Sequence, residues 1–214
     1  MGCSTSKDDN PKQLLEVVPK VDDWHNFRGD ELEPLLECTS VVCLRWLIRF
    51  ARGEVRPAAR GGELPIVPAS QTLPPEALAS LQRMRLYRNG VMTKGLPVIV
   101  LSYPWADKEH PDRSGQLLRR LLPVLEALAA HCDHYGGAEA TWGIVWDFIA
   151  LPQRGHTDPS AAGEDRTPEQ LARFRKGLSQ INCWYGHPYT VVLVVDLPLP
   201  PEATNAAPHE RRGW

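Results

Sequence analysis

Three continuous apolar runs in the second half of the chain, at residues 96–103, 142–148 and 189–200, restrict the fold most. Apolar runs of this length, bounded by Pro or polar loops, are typical of strands buried on both faces of a sheet. Helical patterns at 115–131 and 167–185 separate the three runs. Strands that alternate with helices in this way predict an α/β protein with a parallel sheet.

The two helices between these strands carry specific signals. Pro123 lies inside the first helical pattern and predicts a kink or a restart there. In the second, Thr167 is the expected N-cap, Pro168 takes the first helical position and Gln170 completes a capping box. The residues expected on the buried faces are Leu117, Leu118, Leu121, Leu125 and Leu128 in the first helix, and Leu171, Phe174, Leu178 and Ile181 in the second.

Residues 31–90 are predicted to form a helical extension that contains a Pro/Gly-rich linker. A buried-face helix is expected over 33–52, because its apolar residues recur near helical spacing. Packing on a core is favoured over an amphipathic helix lying on a membrane. A shorter helix is expected over 76–87, closed by the turn signal Asn89-Gly90. The expected buried face of the first helix comprises Leu35, Leu36, Val42, Trp46, Leu47 and Phe50.

The composition, with 43% hydrophobic and 23% charged residues among 214, is that of a globular protein. A formal net charge of −2 provides no basic field, so nucleic acid is not expected as a partner. The longest apolar stretch, "SVVCLRWLIRF", contains Arg45 and Arg49 and is shorter than the roughly 18–20 residues that span a bilayer. Five irregularly spaced Cys residues without a CxxC predict reduced thiols on the cytosolic side.

The amino terminus, "MGCSTSK", fits the myristoylation pattern, with Gly2 as acceptor and Ser6 at the required position. Cys3 is the expected palmitoylation site, and a stable anchor needs such a second signal because one myristoyl chain binds membranes only marginally. The alternative is an ordinary disordered start that happens to begin Met-Gly. We favour dual acylation, with residues 1–30 as lipid anchor and tether at the cytoplasmic face of a membrane, for which the plasma membrane is the first expectation.

The candidate site lies where the predicted strands end, because ligands of parallel α/β sheets sit outside the carboxyl ends of the strands. An exposed Tyr-x-Trp pair at a strand end could stack on a flat ring such as a nucleobase or nicotinamide. Asp147 closes a buried strand and therefore needs a partner, for which Arg154 and Tyr103 are the candidates. The candidate ligand-pocket residues are Ser102, Tyr103, Trp105, Asp147, Gln153, Arg154 and Trp184, and no catalytic residue is assigned.

Several of these residues also have a purely structural interpretation. Glu109, His110 and Asp112 could supply acid–base chemistry, or could equally cap the next helix. A structural buried Asp is slightly favoured over a catalytic one at Asp147, and His187 is favoured as a turn residue over a base. The "HCDH" string at 131–134 lacks distant partners of metal spacing and is not interpreted as a zinc site.

The order of motifs resembles that of Toll/interleukin-1 receptor (TIR) domains: a strand ending "SYPW", a helix, a strand ending "WDF", a loop, a helix, a strand and then "RGW". The chain is also similar to the related heterokaryon-incompatibility domains. These open with a Leu-Ser-Tyr-x-Trp strand, here Leu101 to Trp105, and later carry a strand with Trp and Asp that ends near a Gln, here Trp146 to Gln153. The resemblance covers residues 91–214, chiefly from 96 onward, and nothing upstream.

This resemblance implies a flavodoxin-like (TIR-like) parallel sheet, in which the loop after Asp147 corresponds to the functional BB loop. Some TIR domains cleave the nicotinamide–ribose bond of NAD, and others are adaptors that assemble through that loop. The enzymes carry a glutamate shortly after a tryptophan, and "ERRGW" resembles the start of the string that contains both. The chain ends at Trp214, so we expect a fold that is incomplete at the carboxyl end and lacks this glutamate; Glu202 and Glu210 precede the tryptophan.

The expected function is therefore that of a membrane-anchored TIR-like signalling or interaction module, non-catalytic as given, with homotypic or TIR-like protein partners. The alternative is an NAD glycohydrolase in a longer parent chain, in which Tyr103 and Trp105 stack on the nicotinamide side. NAD would then be a substrate, and no other cofactor or metal is assigned. A degenerate gene fragment without activity is the third hypothesis.

Overall fold

The computed structural model describes residues 23–55, 67–86, 95–103, 105–107, 109–157, 163–199, 201 and 203–204. Its strands are β1 (Val42–Cys43), β2 (Val98–Ser102), β3 (Gly143–Val145) and β4 (Val191–Val194). Its α-helices are α1 (Asp23–Asn26), α2 (Leu44–Ala51), α3 (Leu81–Arg85), α4 (Gln116–Gly136), α5 (Asp147–Ala150) and α6 (Pro168–Gly186). Short 3-10 helices lie at Gly29–Glu31, Glu33–Glu37, Ser70–Thr72 and Pro75–Ala77. The acylation sites Gly2 and Cys3 and the turn signal Asn89-Gly90 lie outside the described residues.

The four strands form one mostly parallel sheet in the order β1-β3-β2-β4, which confirms the predicted α/β class. Strand β2 pairs in parallel with β3 and with β4, through crossovers that contain α4 and α6. Strand β1 adds to β3 in the antiparallel direction. The helix predicted over 33–52 is therefore wrong in its first half: Val42 lies in this strand, and α2 begins only at Leu44.

The side chains of β2 alternate between two apolar cores, one on each face of the sheet, and helices cover both faces. Ile99 and Leu101 pack with apolar residues of α2 and α4. Val98 and Val100 pack on the opposite face with residues of α6 and of the amino-terminal segment. The predicted extension, residues 31–90, thus contributes apolar side chains to both cores. Within the described residues, no helix is long and apolar enough to cross a membrane.

Helices α4 and α6 agree with most of their sequence signals. Helix α4 continues through Pro123 without the restart that was considered, and its first four predicted leucines are buried. Helix α6 begins with the predicted capping box, in which the Thr167 hydroxyl and the Gln170 side chain each accept a backbone N–H. Its predicted buried face is wrong at Leu178, which is 53% exposed. Ile181 is buried together with Gly177 and Trp184, each of which lies about one helical turn from it on the face toward the sheet.

Strand β4 occupies the predicted position but not the predicted environment. An apolar run suggested burial on both faces, whereas Val191, Val192 and Val194 are exposed at the outer side of the sheet. The prediction of a third buried strand is wrong because β4 is the outermost strand of the described sheet. Only Val195, just beyond the strand, is fully within the core.

Candidate functional site

The ends of β2 and β3 bring polar side chains together at the carboxyl edge of the sheet. Val100 pairs with Val145, the last residue of β3; Ser102 ends β2, and Asp147 begins α5 two residues beyond β3. Ser102 points to the face covered by α6, because it lies two residues from Val100 and side chains two residues apart share a face. Asp147 lies close enough to Tyr185 of α6 for its charge to act on that phenol. Ser102 also pairs with Val194 of β4. The edge predicted from the parallel sheet is therefore where Ser102 and Asp147 lie.

Asp147 is the centre of this edge. Its Oδ2 accepts the indole N–H of Trp105 at 3.1 Å, and its Oδ1 accepts the backbone N–H of Phe148 at 2.7 Å. Burial raises the pKa of Asp147 to about 6, although these two donated hydrogen bonds act in the opposite direction. Arg154 and Tyr103 were the predicted partners of Asp147. This prediction is wrong, because neither residue donates to the Asp147 carboxyl group.

Two aromatic side chains border Asp147. Trp105 is half-buried and meets the ring of Phe148 edge-on, with 5.7 Å between the ring centroids. Tyr185 of α6 donates its hydroxyl to the carbonyl of Leu101 at 3.3 Å. Burial and then the Asp147 charge raise the pKa of Tyr185, so this phenol stays protonated at neutral pH. The described edge thus combines a carboxyl group of unusually high pKa with an indole and a neutral phenol.

Tyr103 does not belong to this surface, and its expected exposure is wrong. The ring is 2% exposed and packs on Trp146, with 4.5 Å between the ring centroids. Its hydroxyl donates to Oδ2 of Asp112 at 3.0 Å. The reason is the strand period: Ser102 faces α6, so Tyr103 faces the core on the other side.

Asp112 and His110, for which acid–base chemistry was one interpretation, both make structural hydrogen bonds: Asp112 caps the first turn of α4, and His110 holds the loop before it. Asp112 is fully buried and accepts the N–H of Leu118 in the first turn of α4 at 2.9 Å. Burial raises its pKa. His110 Nδ1 accepts the N–H of Asp112 at 2.9 Å, so Nε2 carries the proton and donates to the Val67 carbonyl at 3.1 Å. Burial lowers the His110 pKa to about 4, which keeps the imidazole neutral.

Trp184 is also not at the candidate site. It is 1% exposed and packs in the core beneath α6, nearer the amino ends of the strands. Its carbonyl accepts the Thr190 hydroxyl at 2.8 Å where α6 turns into β4. In the same turn, His187 Nδ1 accepts the N–H of Tyr189 at 3.2 Å, which agrees with the favoured structural role of His187.

The loop after α5, defined by residues 151–157 and 163–166, is held by hydrogen bonds from Gln71 and from within the loop. Gln71 brackets the backbone of Gln153: its Nε2 donates to the Gln153 carbonyl at 2.6 Å, and its Oε1 accepts the Gln153 N–H at 3.0 Å. The Gln153 side chain donates to the carbonyls of Phe148 and Leu151 at 3.1 and 3.0 Å. Gln153 therefore fixes the backbone of this loop.

The carboxylate of Asp165 fixes the remainder of this loop. It accepts the backbone N–H of Gly155 at 2.6 Å and that of Thr157 at 2.7 Å. Arg166 stacks over the ring of Phe174 at the base of the loop, 4.1 Å from its centroid. Arg154, by contrast, is exposed between these fixed points. The result is a surface loop whose backbone is preorganised while a cation is presented outward.

Three residues of this region were missed at the sequence level. Gln71 lies in the predicted linker and gave no signal, and Asp165 lies in a polar stretch without a recognisable motif. Tyr185 directly follows Trp184, the aromatic residue of this segment that was predicted to line the pocket. Within the described part of the chain, no group of three His, Cys, Asp or Glu residues could hold a metal ion.

Comparison with protein-family models, with curated proteins and with solved structures finds no match to this chain.

Proposed function

We propose that this protein is a TIR-like signalling or interaction module, held at the cytoplasmic face of a membrane by acyl chains at Gly2 and Cys3 and not itself catalytic. It docks TIR-like partners or further copies of itself through the loop after α5. The acyl anchor rests on the sequence pattern alone.

The order of the parallel strands supports a flavodoxin-like arrangement. Flavodoxin-like sheets have the order 2-1-3 in their first three strands. Counted along the chain, β3, β2 and β4 are the second, first and third parallel strands, and they are neighbours in that order. In this arrangement the loop after α5 follows the second parallel strand, which is the position of the BB loop in the family that the sequence resembles.

The preorganised loop is the observation that carries the proposed docking function. Binding by a mobile loop loses free energy when the loop is ordered, and a loop that is already held avoids that loss. Here Gln71 and Asp165 hold the backbone on both sides of the exposed Arg154. An exposed arginine on a fixed backbone is suited to a carboxylate or a carbonyl cluster on a partner.

Assembly on vesicles tests this proposal. The myristoylated full-length chain is fused at its carboxyl end to donor or acceptor fluorescent proteins, and energy transfer is measured at constant surface density. We expect Arg154→Glu to reduce the transfer at least fivefold, with Arg49→Glu on α2, another exposed arginine, as the matched control. Equal transfer for the wild type and Arg154→Glu would contradict docking through this loop.

Hydrolysis of NAD is the second candidate function, in a chain that also supplies a catalytic glutamate. It is favoured by the edge itself, where half-buried Trp105 lies against a carboxyl group with a pKa of about 6. Burial of Tyr103 removes one of the two rings expected to stack on nicotinamide. Release of nicotinamide from NAD by a purified longer chain that carries this glutamate, lost in Trp105→Ala, would establish this alternative.

A further inference from the structure

The outer edge of β4 is an unusual surface for a parallel sheet. Val191, Val192 and Val194 are 37%, 37% and 61% exposed. Within the described residues, no strand pairs with this edge. The segment Val191–Val194 also has no Lys, Pro or bulge, the devices that normally keep an exposed edge from pairing.

The hydrogen bonds to β2 determine which backbone groups of β4 point outward. The N–H of Val195 donates to Ser102, and the carbonyl of Tyr189 accepts from Leu96, at 2.8 and 2.6 Å. Odd-numbered residues therefore point their N–H and C=O toward β2. Because these directions alternate along a strand, the even-numbered residues Thr190, Val192, Val194 and Asp196 point theirs outward.

The apolar side chains beside this edge lie on the face that α6 covers. Val192 and Val194 share the face of their β2 partners Val100 and Ser102. Helix α6 runs antiparallel to β4, and Leu178 lies eight residues before its end, or about 12 Å along the axis. About four residues of strand cover the same distance, which places 53%-exposed Leu178 level with Val194.

We propose that a second copy of this chain pairs with β4 in the antiparallel direction, about a two-fold axis through Leu193. In this register Val192 lies opposite Val194 of the partner subunit, and Thr190 lies opposite Asp196 of the partner subunit. Every outward backbone group between Pro188 and Pro198 then has a partner. Val192, Val194 and Leu178 of both copies form one apolar cluster on the α6 face.

Charge favours this orientation and a second copy as the occupant. Asp196 is the only charged residue between Tyr189 and Leu197. Antiparallel pairing separates the two Asp196 carboxylates by about 20 Å, beyond the Debye length of about 8 Å, whereas parallel pairing would place them side by side. The edge is otherwise apolar and identical in the two copies, so an isologous contact needs no further complementarity.

The expected dimer is weak, because a four-residue edge lies at the small end of protein interfaces, below about 1,200 Å². An acyl anchor would concentrate copies in two dimensions and raise their effective concentration. This inference extends the proposed interaction function to a second surface, but it does not depend on the loop after α5.

Sedimentation of the unacylated full-length chain over a concentration series is the first test. We expect a monomer–dimer equilibrium whose dissociation constant rises at least tenfold in Val194→Lys. Val124→Lys on α4, where the native valine is 46% exposed, is the matched control and should dimerise as the wild type does. Arg154→Glu should also leave the dimer unchanged, so failure of the loop proposal and failure of this one are distinguishable.

Cross-linking tests the register. In a Cys3→Ser, Cys183→Ser background, Leu193→Cys places two thiols opposite each other at a non-hydrogen-bonded pair, where oxidation forms a disulfide-linked dimer. Val191→Cys, with its two thiols about 13 Å apart, should not cross-link. Equal cross-linking of both variants overturns the register. A wild-type monomer at every concentration overturns the dimer. It does so even if amide hydrogen exchange shows that residues beyond 204 protect β4.

Discussion

Replacement of Asp147 by Asn should remove one source of the pH dependence of folding. Burial raises the pKa of this carboxyl group from 3.8 to about 6 in the folded protein. Folding therefore favours the protonated form. The stabilisation that results is fully present below about pH 4 and is lost as the pH rises through about 6. The asparagine side chain of the variant would stay neutral throughout and would show no such loss.

The structure sets the size of this effect. At 1.36 kcal/mol per pKa unit, a rise from 3.8 to about 6 corresponds to about 3 kcal/mol of unfolding free energy. Asp147 retains some contact with solvent, which screens its charge, so we expect about 1–3 kcal/mol. Asn also offers one acceptor oxygen to the two donors of Trp105 and Phe148, a cost that does not vary with pH.

Urea unfolding of the wild type and Asp147→Asn at half-unit steps from pH 4 to 7.5 measures the effect. Other shifted groups, such as Asp112 and Glu164, are present in both proteins and cancel in the difference. The Asn variant should gain about 1–3 kcal/mol relative to the wild type between pH 4 and 7. A difference that stays constant over this range, or changes in the other direction, would refute the argument from burial.

Packing, buried hydrogen bonding and acylation each give a further expected outcome. In chemical unfolding, Gly177→Ala should destabilise the protein by about 1–3 kcal/mol, because the new methyl meets a buried leucine side chain and a backbone carbonyl. The control Gly186→Ala, whose new methyl meets open space, should be neutral or slightly stabilising in the same assay. Tyr103→Phe should cost about 1–3 kcal/mol in thermal unfolding, because its buried carboxylate partner loses a donor. Gly2→Ala should move the protein from the membrane to the soluble fraction on fractionation of cells, whereas Ser4→Ala should leave it in place; equal partition of both variants would contradict myristoylation.

The sequence could predict the three parallel strands and the two long helices between them. A strand in the middle of a parallel sheet must be apolar on both faces, so β2 and β3 appear as continuous apolar runs. The same run at β4 predicted a strand correctly and its burial wrongly. Apolar composition reports what a strand can contact, and it does not report whether a neighbour is present on its outer side.

The amino-terminal helix shows a different limit. Apolar spacing over residues 33–52 fits one helix, and the second half of that prediction is helix α2. The first half forms a 3-10 helix and β1 instead, because Val42 and Cys43 pair with β3, which lies about a hundred residues further along the chain. The β-branched pair Val41-Val42 was the available sign of a strand.

The candidate site was predictable in location and not in its contacts. Parallel strands bring their carboxyl ends to one edge, where β2 ends at Ser102 and Asp147 follows β3. The burial of Tyr103 also follows from the two-residue period of a strand. The Trp105–Asp147 and Gln71–Gln153 contacts join residues 42 and 82 positions apart, through loop paths that no local pattern encodes.

Amide hydrogen exchange of the acylated protein, compared between solution and vesicles at the surface density of the assembly assay, tests the docking loop most directly. If the loop after α5 is the docking surface, the amides of Gly155 and Thr157 should exchange at least tenfold more slowly on vesicles, and the amides of exposed Arg52, Gly53 and Glu54 at the end of α2 should be unchanged. Slower exchange at α2 without any change in the loop would contradict the proposed function.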